Sequence, residues 1–595
     1  MNTKMGKAAG IRTFNMALRL FNRFRLALII LAVPASLGIA LSTERANAQT
    51  ADEPAVSPAL GISPTPERTV QDEPDSLAAE EFPVRSIDGS GNNLDDPLIG
   101  AALTPLVRRV DPDYADNVST LAGPDRPGPR EISNAVSAQD ESVPIGDEIS
   151  DFLWQWGQFL DHDIDLTGGS DPVDSANFLA PKDDPFFKFR KVFEFNRSFS
   201  DPKSGKNVKK PRQQVNEITA WIDASNVYGS NAARANALRA LPDLENGRLL
   251  TSVGDDGDLL PFNTGGLPNA GGPDPSLFLA GDFWANDQVA LTAMHTLFVR
   301  EHNRLADIYA AADPTLTGDE IYEKARRMVG AEMQAITYNE FLPVLLGENA
   351  ISNYEGYDPD LNAGIANVFS TSAYRFGHSL LSSTLLRLDE KFEEIPDGHL
   401  LLRDAFFAPQ RIIDEGGIDP LLRGLAEQVS QREDIFVVDA VRNFLFGEDD
   451  DGFDLVALNI QRGRDHGLPS YNDTRIAYGL APAASFADVS SDLETQDRLA
   501  SIYDDVDAID VWIGGIAEDR LPGAQVGKLN YTIIKEQFEL LRDGDRFWFE
   551  STLTQQEIRN LRRRRLADII EMNTGIDNLA DDVFHVMSHG KGKKK

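Results

Sequence analysis

The stretch that decides the fold is Gln155-Trp156-Gly157-Gln158-Phe159-Leu160-Asp161-His162-Asp163-Ile164-Asp165-Leu166-Thr167, whose apolar residues recur at helical spacing. At about 100° per residue, Gln158 and His162 share one helix face and Asp161 lies beside them. Asp163 is turned roughly 200° from Asp161, so these two carboxylates cannot serve one small site. The arrangement suits a helix that lines a reaction pocket on one side and binds a cation on the other. Taken alone, the polar trio also fits a solvated helix face, so the remaining motifs have to decide.

The composition is that of an acidic, soluble protein. The 595 residues include 57 Lys and Arg against 94 Asp and Glu, a formal net charge of −37. Such a surface disfavours nucleic acid and anionic membranes as partners. The chain has no cysteine, which excludes disulfides, thiolate catalysis and Cys-ligated metals. Any cross-link between segments of the fold therefore has to come from something else, such as a bound ion or cofactor.

The ends of the chain differ in kind from the rest. Residues 1–48 combine basic residues, an apolar run from Leu26 to Leu41 and the small-residue site Ala46-Asn47-Ala48, which is typical of a secretory signal peptide. That run is short for an uncleaved membrane anchor. Residues 49–81 are rich in Pro, Ser, Ala and acid and are predicted to be a disordered lead-in. We expect one domain over 82–590, a basic tail over 591–595, and a secreted or periplasmic product without a membrane span in the mature chain.

Hydrophobic periodicity predicts a mainly α fold. Strand-like runs are short and scattered, and no linker or internal repeat divides the chain. The expected architecture is a single large helical domain with long ordered loops and little β. The predicted helices are 149–164, 289–309 (capped by Asn286 or Asp287), 320–342, 440–446 and 555–571.

The second motif, Thr219-Ala220-Trp221-Ile222-Asp223-Ala224-Ser225, concentrates oxygen-bearing groups. In an extended backbone, the side chains of Thr219, Asp223 and Ser225 converge and the carbonyl of Trp221 fills the gap. Together with Asp163 they supply hard oxygen ligands that include two carboxylates, which is calcium rather than zinc chemistry. The alternative is a Thr/Ser-rich turn with an ordinary Asp.

Two further motifs contain histidine. In Tyr374-Arg375-Phe376-Gly377-His378, the glycine permits close approach of a flat group and Arg375 can pair with a carboxylate, although a lone His is more often structural. Leu458-Asn459-Ile460-Gln461-Arg462-Gly463-Arg464-Asp465-His466-Gly467-Leu468-Pro469 is predicted to be a tight polar loop. Within it, Arg464, Asp465 and His466 are interpreted as a structural network.

Together the motifs resemble the animal-type haem peroxidases, the peroxidase–cyclooxygenase superfamily, including bacterial members of its peroxidasin-like branch. The match runs from about residue 82 to 588. It keeps the family's order through WGQFLDHD, the TxWxDxS loop, FLAGD at 278–282, MHTLFVREHNRL at 294–305, RFGH and LNIQRGRDHGLP. The resemblance implies a helical domain that encloses haem b and uses hydrogen peroxide to oxidise a small anion or a phenol.

The resemblance also implies roles for single residues. His162 matches the distal histidine, a general base that moves a proton between the peroxide oxygens, and Gln158 would orient distal water or halide. His378 matches the proximal iron ligand, with Asn459 bonded to its other ring nitrogen. The other matched positions are Asp161 at a haem ester, Arg375 and Arg462 near the propionates, and Asp163, Thr219, Trp221, Asp223 and Ser225 at a calcium site.

The chain departs from the family after Asp282. The family usually reads x-Arg-x-x-Glu there, whereas this chain reads Phe283-Trp284-Ala285-Asn286-Asp287-Gln288. Trp284 thus occupies the position of the distal catalytic arginine, and losing one such donor typically costs about 10²–10³ in rate. Asp287 stands where the second ester-forming glutamate is usual and reaches less far. Gln288 replaces a methionine of the chloride-oxidising mammalian member, so a sulfonium link is excluded and chloride oxidation is not expected.

Because of Trp284, the sequence is compatible with three hypotheses about function. The preferred hypothesis is an exported peroxidase that oxidises iodide, bromide, thiocyanate or phenols and is weakened rather than inactive, because His162, His378 and Asn459 remain. The second is a non-enzymatic, haem- and calcium-binding interaction protein. The third is a fatty-acid dioxygenase. In the cyclooxygenase branch a radical-forming tyrosine lies three residues before the proximal histidine, but that position here is Arg375.

Overall fold

The computed structural model describes residues 83–139, 141–146, 148–187, 191–240, 246–447 and 452–587. The predicted signal peptide (1–48), lead-in (49–81) and basic tail (591–595) lie outside the described residues. Those from Arg85 onward belong to one compact unit. Within the described ranges, no helix combines the length and the apolarity that crossing a membrane requires.

Helices make up most of the regular structure in the described ranges. The α-helices, in chain order, are α1 (Pro129–Val136), α2 (Phe152–Ile164), α3 (Ser225–Tyr228), α4 (Ala232–Leu238), α5 (Val289–Ala312), α6 (Gly318–Ile336), α7 (Leu342–Leu346), α8 (Asn367–Thr371), α9 (Gln410–Ile413), α10 (Asp419–Glu427), α11 (Asp439–Arg442), α12 (Leu455–Asp465), α13 (Tyr471–Ala477), α14 (Phe486–Val489), α15 (Leu493–Ala500), α16 (Val511–Ala517), α17 (Lys528–Asp543), α18 (Phe549–Thr552), α19 (Gln555–Leu561) and α20 (Leu566–Asn573). A π turn (Thr337–Phe341) and the 3-10 helices Ala373–Ser379, Leu402–Asp404 and Val506–Ala508 complete the helical elements.

The β-structure of the described residues consists of short antiparallel pairs. The strands are β1 (Thr104–Pro105) with β4 (Val215–Asn216), β2 (Phe178–Leu179) with β3 (Val192–Phe193), β5 (Ser252–Gly254) with β6 (Gly257–Leu259), and β7 (Thr384–Leu385) with β8 (Leu400–Leu401). In the first pair Thr104 lies opposite Asn216. The prediction of a mainly α fold with little β is confirmed.

The core is built around α2 and α5. The apolar residues of α2 that recur at helical spacing are buried, and those of α5 are buried from Val289 to Val299. α5 packs against α2, α6 and α20. Polar groups that these helices carry into the interior bond neighbouring elements, as Gln155 does with Gln288 and His295 does with Asp282.

The cap predicted for α5 is wrong by one or two residues. The helix begins after Gln288, whose side chain accepts a hydrogen bond from Ala290 N–H. Asn286 is not free to cap because its side chain bonds both the N–H and the carbonyl of Phe278, at 2.9 and 2.8 Å. Asp287 instead accepts from Gln158. Both expected caps therefore serve tertiary contacts.

Other helix boundaries also differ from the prediction. The segment 320–342 begins earlier, at Gly318 behind the capping box of Thr317 and Glu320, and turns into the π turn after Ile336. The segment 555–571 is two helices, because Asp568 caps a new start behind Arg565. Segment 440–446 is helical only through Arg442.

The polar loop predicted over 458–469 is wrong in its first part. Leu455–Asp465 is the helix α12, whose N-cap Asp454 accepts from Ala457 N–H. Asp454 is itself fixed by Arg130 at 2.6 Å. A cap outside the quoted motif thus starts the helix, and only the segment after Asp465 is loop.

The π turn buries an acidic side chain in a way that can be tested. Glu340 Oε1 accepts from Leu566 N–H at 3.1 Å, while Oε2 has no partner among the described residues. Burial raises the pKa of Glu340 to about 8. The folded protein therefore holds a proton that the unfolded chain releases near the ordinary pKa of Glu, so stability falls as the pH rises from that value to about 8 and falls no further above it.

We predict that Glu340→Gln stabilises the protein relative to the parent increasingly as the pH rises. The gap in unfolding free energy should grow by roughly 1.4 kcal/mol per pH unit between about pH 5 and 8 and then level off. Urea denaturation of both proteins across that range measures it, with the exposed Glu571→Gln as the control. A gap that does not change with pH would contradict the prediction.

Candidate active site

A buried carboxylate holds the imidazole of His162. Nδ1 of His162 lies 2.9 Å from Oδ2 of Asp282, and Nε2 of His295 lies 3.0 Å from the same oxygen. Oδ1 of Asp282 accepts the backbone N–H of Trp284 at 2.7 Å. A carboxylate between these groups can only accept, so His162 presents Nδ1–H to Asp282 and its Nε2 is left for a ligand.

Charge reinforces this pairing. Burial by itself lowers the pKa of His162, but Asp282 outweighs burial and raises it to about 9. Burial likewise raises the pKa of Asp282, yet His162 and His295 hold it well below its usual range. Burial lowers the pKa of His295. Asp282 is therefore ionised and makes His162 the more basic of the two imidazoles, while His295 is the less basic one.

Asp282 and His295 are functional candidates that the sequence analysis missed. Asp282 ends the FLAGD motif and His295 lies in MHTLFVREHNRL, and these motifs contributed only to the family resemblance. The available signal was His295 itself, one of only eight histidines, in a helix whose neighbouring residues are apolar. A fully buried His requires a polar partner, and Asp282 is that partner.

The carboxyl side chains of Asp161 and Asp287 lie close to His162. Gln158 Nε2 donates to Asp287 Oδ2 at 3.0 Å, and Gln158 Oε1 accepts from Gln288 Nε2 at 3.2 Å. Burial raises the pKa of Asp287 to about 6 and, with the negative charge of Asp165, that of Asp161 to about 7. Oδ1 of Asp287 is buried and has no partner among the described residues.

The side chain of Trp284 packs against aromatic rings. Its indole lies nearly parallel to Phe446, with ring centroids 6.5 Å apart and an interplanar angle of 15°, and contacts the edge of Phe283 at 5.4 Å. In the described part of the chain, the indole N–H has no hydrogen-bond partner. Only the backbone of Trp284 therefore bonds the carboxylate that holds His162.

His378 lies in the 3-10 helix Ala373–Ser379, which packs against α2. The side-chain amide of Asn459, on α12, donates from Nδ2 to His378 Nδ1 at 2.8 Å. Burial, Arg375 and the charge of His162 together lower the pKa of His378 to about 3. His378 is therefore a neutral imidazole within electrostatic range of His162.

The space beside His378 suits a flat ligand. A Cβ atom built on Gly377 would meet no atom within 4 Å other than those of its chain neighbours. Arg375 donates to Ser370 O at 2.9 Å and to Asn459 Oδ1 at 3.4 Å, and it forms no ion pair with any described carboxylate. Its charge is thus available to an anionic group.

Arg462 is more committed than Arg375. It donates to Ser198 Oγ at 2.8 Å and to Asn196 O at 3.1 Å, and its guanidinium lies 4.1 Å from the centre of the Phe195 ring. Burial, partly offset by Asp465, lowers its pKa to about 10. The structure places Arg462 beside the structural network rather than alone in a cavity.

The network predicted for Arg464, Asp465 and His466 is confirmed. Arg464 pairs with Asp510 through two contacts of 2.9 and 2.7 Å. Asp465 accepts from Arg197 and from Ser198 N–H, at 2.5 and 2.7 Å. His466 lies between Thr371 Oγ1 and Ser198 Oγ, at 2.9 and 2.7 Å. These residues fasten the end of α12 to its surroundings.

The opposite face of α2 carries Asp163 into the second motif. Asp163 accepts the backbone N–H groups of Asp223, Ala224 and Asn226, at 3.1, 3.2 and 3.3 Å. Ser225 Oγ donates to the carbonyl of Asp163 at 2.7 Å. Asp161 and Asp163 therefore face different partners, as the helical spacing predicts.

Asp223 is the second carboxylate of this group. Its Oδ1 accepts from Thr219 Oγ1 at 3.1 Å, while its Oδ2 is buried with no partner among the described residues. Burial raises the pKa of Asp163 well above its usual value, and the neighbouring Asp223 raises it further. The backbone over 219–225 bends before α3 instead of running extended, and the indole of Trp221 bonds Gly89 O at 3.1 Å.

Comparison with known proteins identifies the family. The profile of the animal haem peroxidases matches residues 84–584. The thyroid peroxidase of Sus scrofa is 38% identical over 560 residues, which cover 84% of this chain and 60% of that protein. The peroxidasin homolog of Homo sapiens is 38% identical over 563 residues, 85% of this chain and 38% of that protein. The chain belongs to the animal haem peroxidase family.

A solved structure agrees with the sequence relatives. Peroxidase A from Dictyostelium discoideum superposes with a TM-score of 0.78 at 32% identity, covering 84% of this chain and 99% of that chain. The chain spans less than two fifths of the length of the peroxidasins of Mus musculus, Drosophila melanogaster and Homo sapiens.

The family implies haem, and the residues present fit it. His378 is neutral and borders open space at Gly377, Arg375 has an uncommitted charge, and Asp287 Oδ1 is a buried acceptor without a partner. These are the features that a planar, iron-containing, dianionic group would satisfy.

Proposed function

We propose that this chain is a haem peroxidase that reduces hydrogen peroxide and oxidises a small anion such as iodide, bromide or thiocyanate, or a phenol. The observation that carries the proposal is the unequal pairing of two histidines. His162 is bonded to the anionic Asp282, which increases the basicity of its ring. His378 is bonded to the neutral Asn459, which leaves it uncharged. A basic imidazole suits proton transfer, and an uncharged one suits metal ligation.

His378 would hold the haem iron through Nε2. This requires Nδ1 to carry the proton, so the Asn459 amide must accept rather than donate. A half-turn of that amide exchanges its oxygen and nitrogen and supplies the acceptor. Arg375 would pair with a propionate, with Arg462 nearby. Asp161 and Asp287 would be the carboxyl groups available for ester links. The side chain of Asp287 is shorter than that of the glutamate that is usual at this position in the family.

When bound, haem would supply an iron centre that gives two electrons to peroxide and recovers two electrons from the donor. In its unprotonated form, His162 would accept at Nε2 the proton of one peroxide oxygen and deliver it to the other oxygen, which leaves as water. Asp282 keeps Nδ1–H in place during both events. Gln158, held by Asp287 and Gln288, orients water or a small anion next to His162.

The overall reaction balances for either donor. One peroxide, one halide and one proton give one hypohalous acid and one water. One peroxide and two phenols give two phenoxyl radicals and two waters, since each phenol yields one electron and one proton. We expect the rate to be low because Trp284 offers no charge where the family usually has arginine.

We also propose that Asp163 and Asp223 bind calcium, with Thr219, Ser225 and the carbonyl of Trp221 as the other oxygen donors. The support is the pair of adjacent buried carboxylates and the unpartnered Asp223 Oδ2, which a divalent cation would satisfy. The ion would tie α2 to the segment before α3 in a chain without disulfides. Export is proposed from the pattern of residues 1–48.

A non-enzymatic, haem- and calcium-binding role is the second candidate, and the packing of Trp284 against Phe446 favours it. A fatty-acid dioxygenase is disfavoured. The Tyr374 ring is stacked on Phe369 at 4.7 Å and packs against Phe376 and Phe538, so it belongs to an aromatic core cluster.

The proposal predicts that Trp284→Arg increases peroxidase activity. The haem-loaded parent should oxidise iodide and guaiacol slowly, and the variant should gain about tenfold or more in kcat/KM for peroxide, as expected for restoring a transition-state donor. Steady-state assays at equal Soret absorbance measure this. Phe283→Arg, which adds the same charge one position away, is the matched control and should gain nothing.

Equal activity of parent and Trp284→Arg would contradict the assignment of position 284. Inactivity of both proteins with haem bound would favour the non-enzymatic role.

The calcium proposal predicts that a strong chelator lowers the melting temperature of the haem-loaded protein and increases haem loss. Asp223→Asn should lower the melting temperature in calcium and abolish the response to chelator, because one charged ligand is gone. Asp184→Asn, which removes a carboxylate paired with Arg130, is the control and should keep the response. A melting temperature that chelator leaves unchanged in the parent would contradict the site.

A further inference from the structure

Five aromatic side chains gather beside the loop that carries Asp282 and Asp287. This aromatic group consists of Phe283, Trp284, Phe406, Phe407 and Phe446. Phe446 is its hub, with ring centroids 5.2 Å from Phe406, 5.2 Å from Phe407 and 6.5 Å from Trp284. All five rings are half-buried, so the group has an accessible side.

The aromatic group is fastened to the candidate active site. Trp284 N–H donates to Asp282, which holds His162. Phe407 N–H donates to the carbonyls of Asn286 and Asp287, at 3.1 and 3.3 Å. Phe406 pairs with Gln288 in an antiparallel bridge. The rings therefore lie next to the groups proposed to handle peroxide.

Two members of the aromatic group have a backbone conformation that is unfavourable for phenylalanine. Phe407 has φ 49° and Phe446 has φ 59°, both in the left-handed region. Bulky residues rarely adopt it, and such strain persists where surrounding structure requires it, often at functional sites. In this backbone conformation, both rings pack in the same cluster.

Charge distinguishes the possible donors. The carboxyl groups of Asp161, Asp282 and Asp287 surround His162, and the position that usually adds a cation holds a neutral indole. The chain as a whole carries a net charge of −37. A small anion lacks the cation that this position usually supplies, whereas a neutral aromatic molecule needs no such charge and gains stacking contacts.

We propose that Trp284 and Phe446 form a stacking subsite for a neutral monocyclic phenol, which makes phenols rather than halides the preferred donors. The inference rests on the proposed peroxidase function and specifies its substrate class. A phenol stacked there gives up one electron and its hydroxyl proton, and two such phenols reduce one peroxide to two waters. Trp284 is then a specificity determinant where the family has a catalytic charge.

The first test measures binding without turnover. Equilibrium dialysis of guaiacol against the haem-loaded protein, in the absence of peroxide, should show saturable binding. Phe446→Leu should weaken that binding roughly three- to tenfold, the ratio expected for loss of one aromatic stacking contact. Phe446→Trp, which keeps an aromatic ring at this position, should bind guaiacol like the parent. Phe444→Leu is the matched control, since Phe444 contacts Phe186 and Arg403 instead, and it should bind like the parent.

The second test compares donors. The parent should have a higher kcat/KM for guaiacol than for iodide, and Phe446→Leu should raise KM for guaiacol roughly three- to tenfold while leaving iodide oxidation within about twofold. Equal losses with both donors, or binding that ignores Phe446, would overturn the subsite. Guaiacol binding that depends on Phe446 in a protein that oxidises neither donor would refute the peroxidase function and leave the subsite standing.

Discussion

The arrangement of the candidate active site depends on one buried carboxylate. Asp282 accepts from His162, from His295 and from the backbone of Trp284, so it joins α2, α5 and the loop between FLAGD and α5. Breaking such a buried, hydrogen-bonded ion pair by removing one partner typically costs about 3–5 kcal/mol. The position of His162, the path of the loop and the location of Asp287 all follow from this contact.

The two proposed haem-side histidines differ because only His162 is bonded to a carboxylate that offsets its burial. Both are buried, yet the pKa of His162 is raised by Asp282 while that of His378 is lowered by burial and Arg375. The loop that supplies Asp282 also supplies Trp284, so the departure from the family lies on the element that the distal histidine depends on. The indole of Trp284 packs against Phe446, while its backbone N–H keeps the bond to Asp282.

The sequence predicted the helical framework well where periodicity and burial agree. α2 and α5 have long apolar repeats, and both exist close to the predicted bounds. The spacing of Asp161 and Asp163 also correctly separated their partners. α12 was misjudged because its cap, Asp454, lies outside the motif and its helical residues are polar groups that bond other elements. The cap of α5 was misplaced because Asn286 and Asp287 make tertiary contacts that no local pattern reveals.

Tertiary pairing explains what sequence reasoning missed at the site. Nothing near His295 in the sequence indicates that it shares an oxygen with His162, since the common partner is 13 residues before one and 120 after the other. The stacking of Trp284 on Phe446 likewise joins distant segments. The contact between His378 and Asn459 was expected only through the family resemblance, and its donor direction depends on the orientation of an amide.

The rate constant for the reaction of the haem-loaded protein with hydrogen peroxide, measured by stopped flow in the parent and in Asp282→Asn, tests the central claim most directly. If Asp282 keeps His162 in position as a base, the variant should lose about 10²-fold or more in this rate constant, the usual contribution of a general base. Its Soret spectrum and its rate-limiting donor step should remain like those of the parent. A rate constant within about twofold of the parent would show that proton transfer at His162 does not depend on Asp282 and would contradict the account.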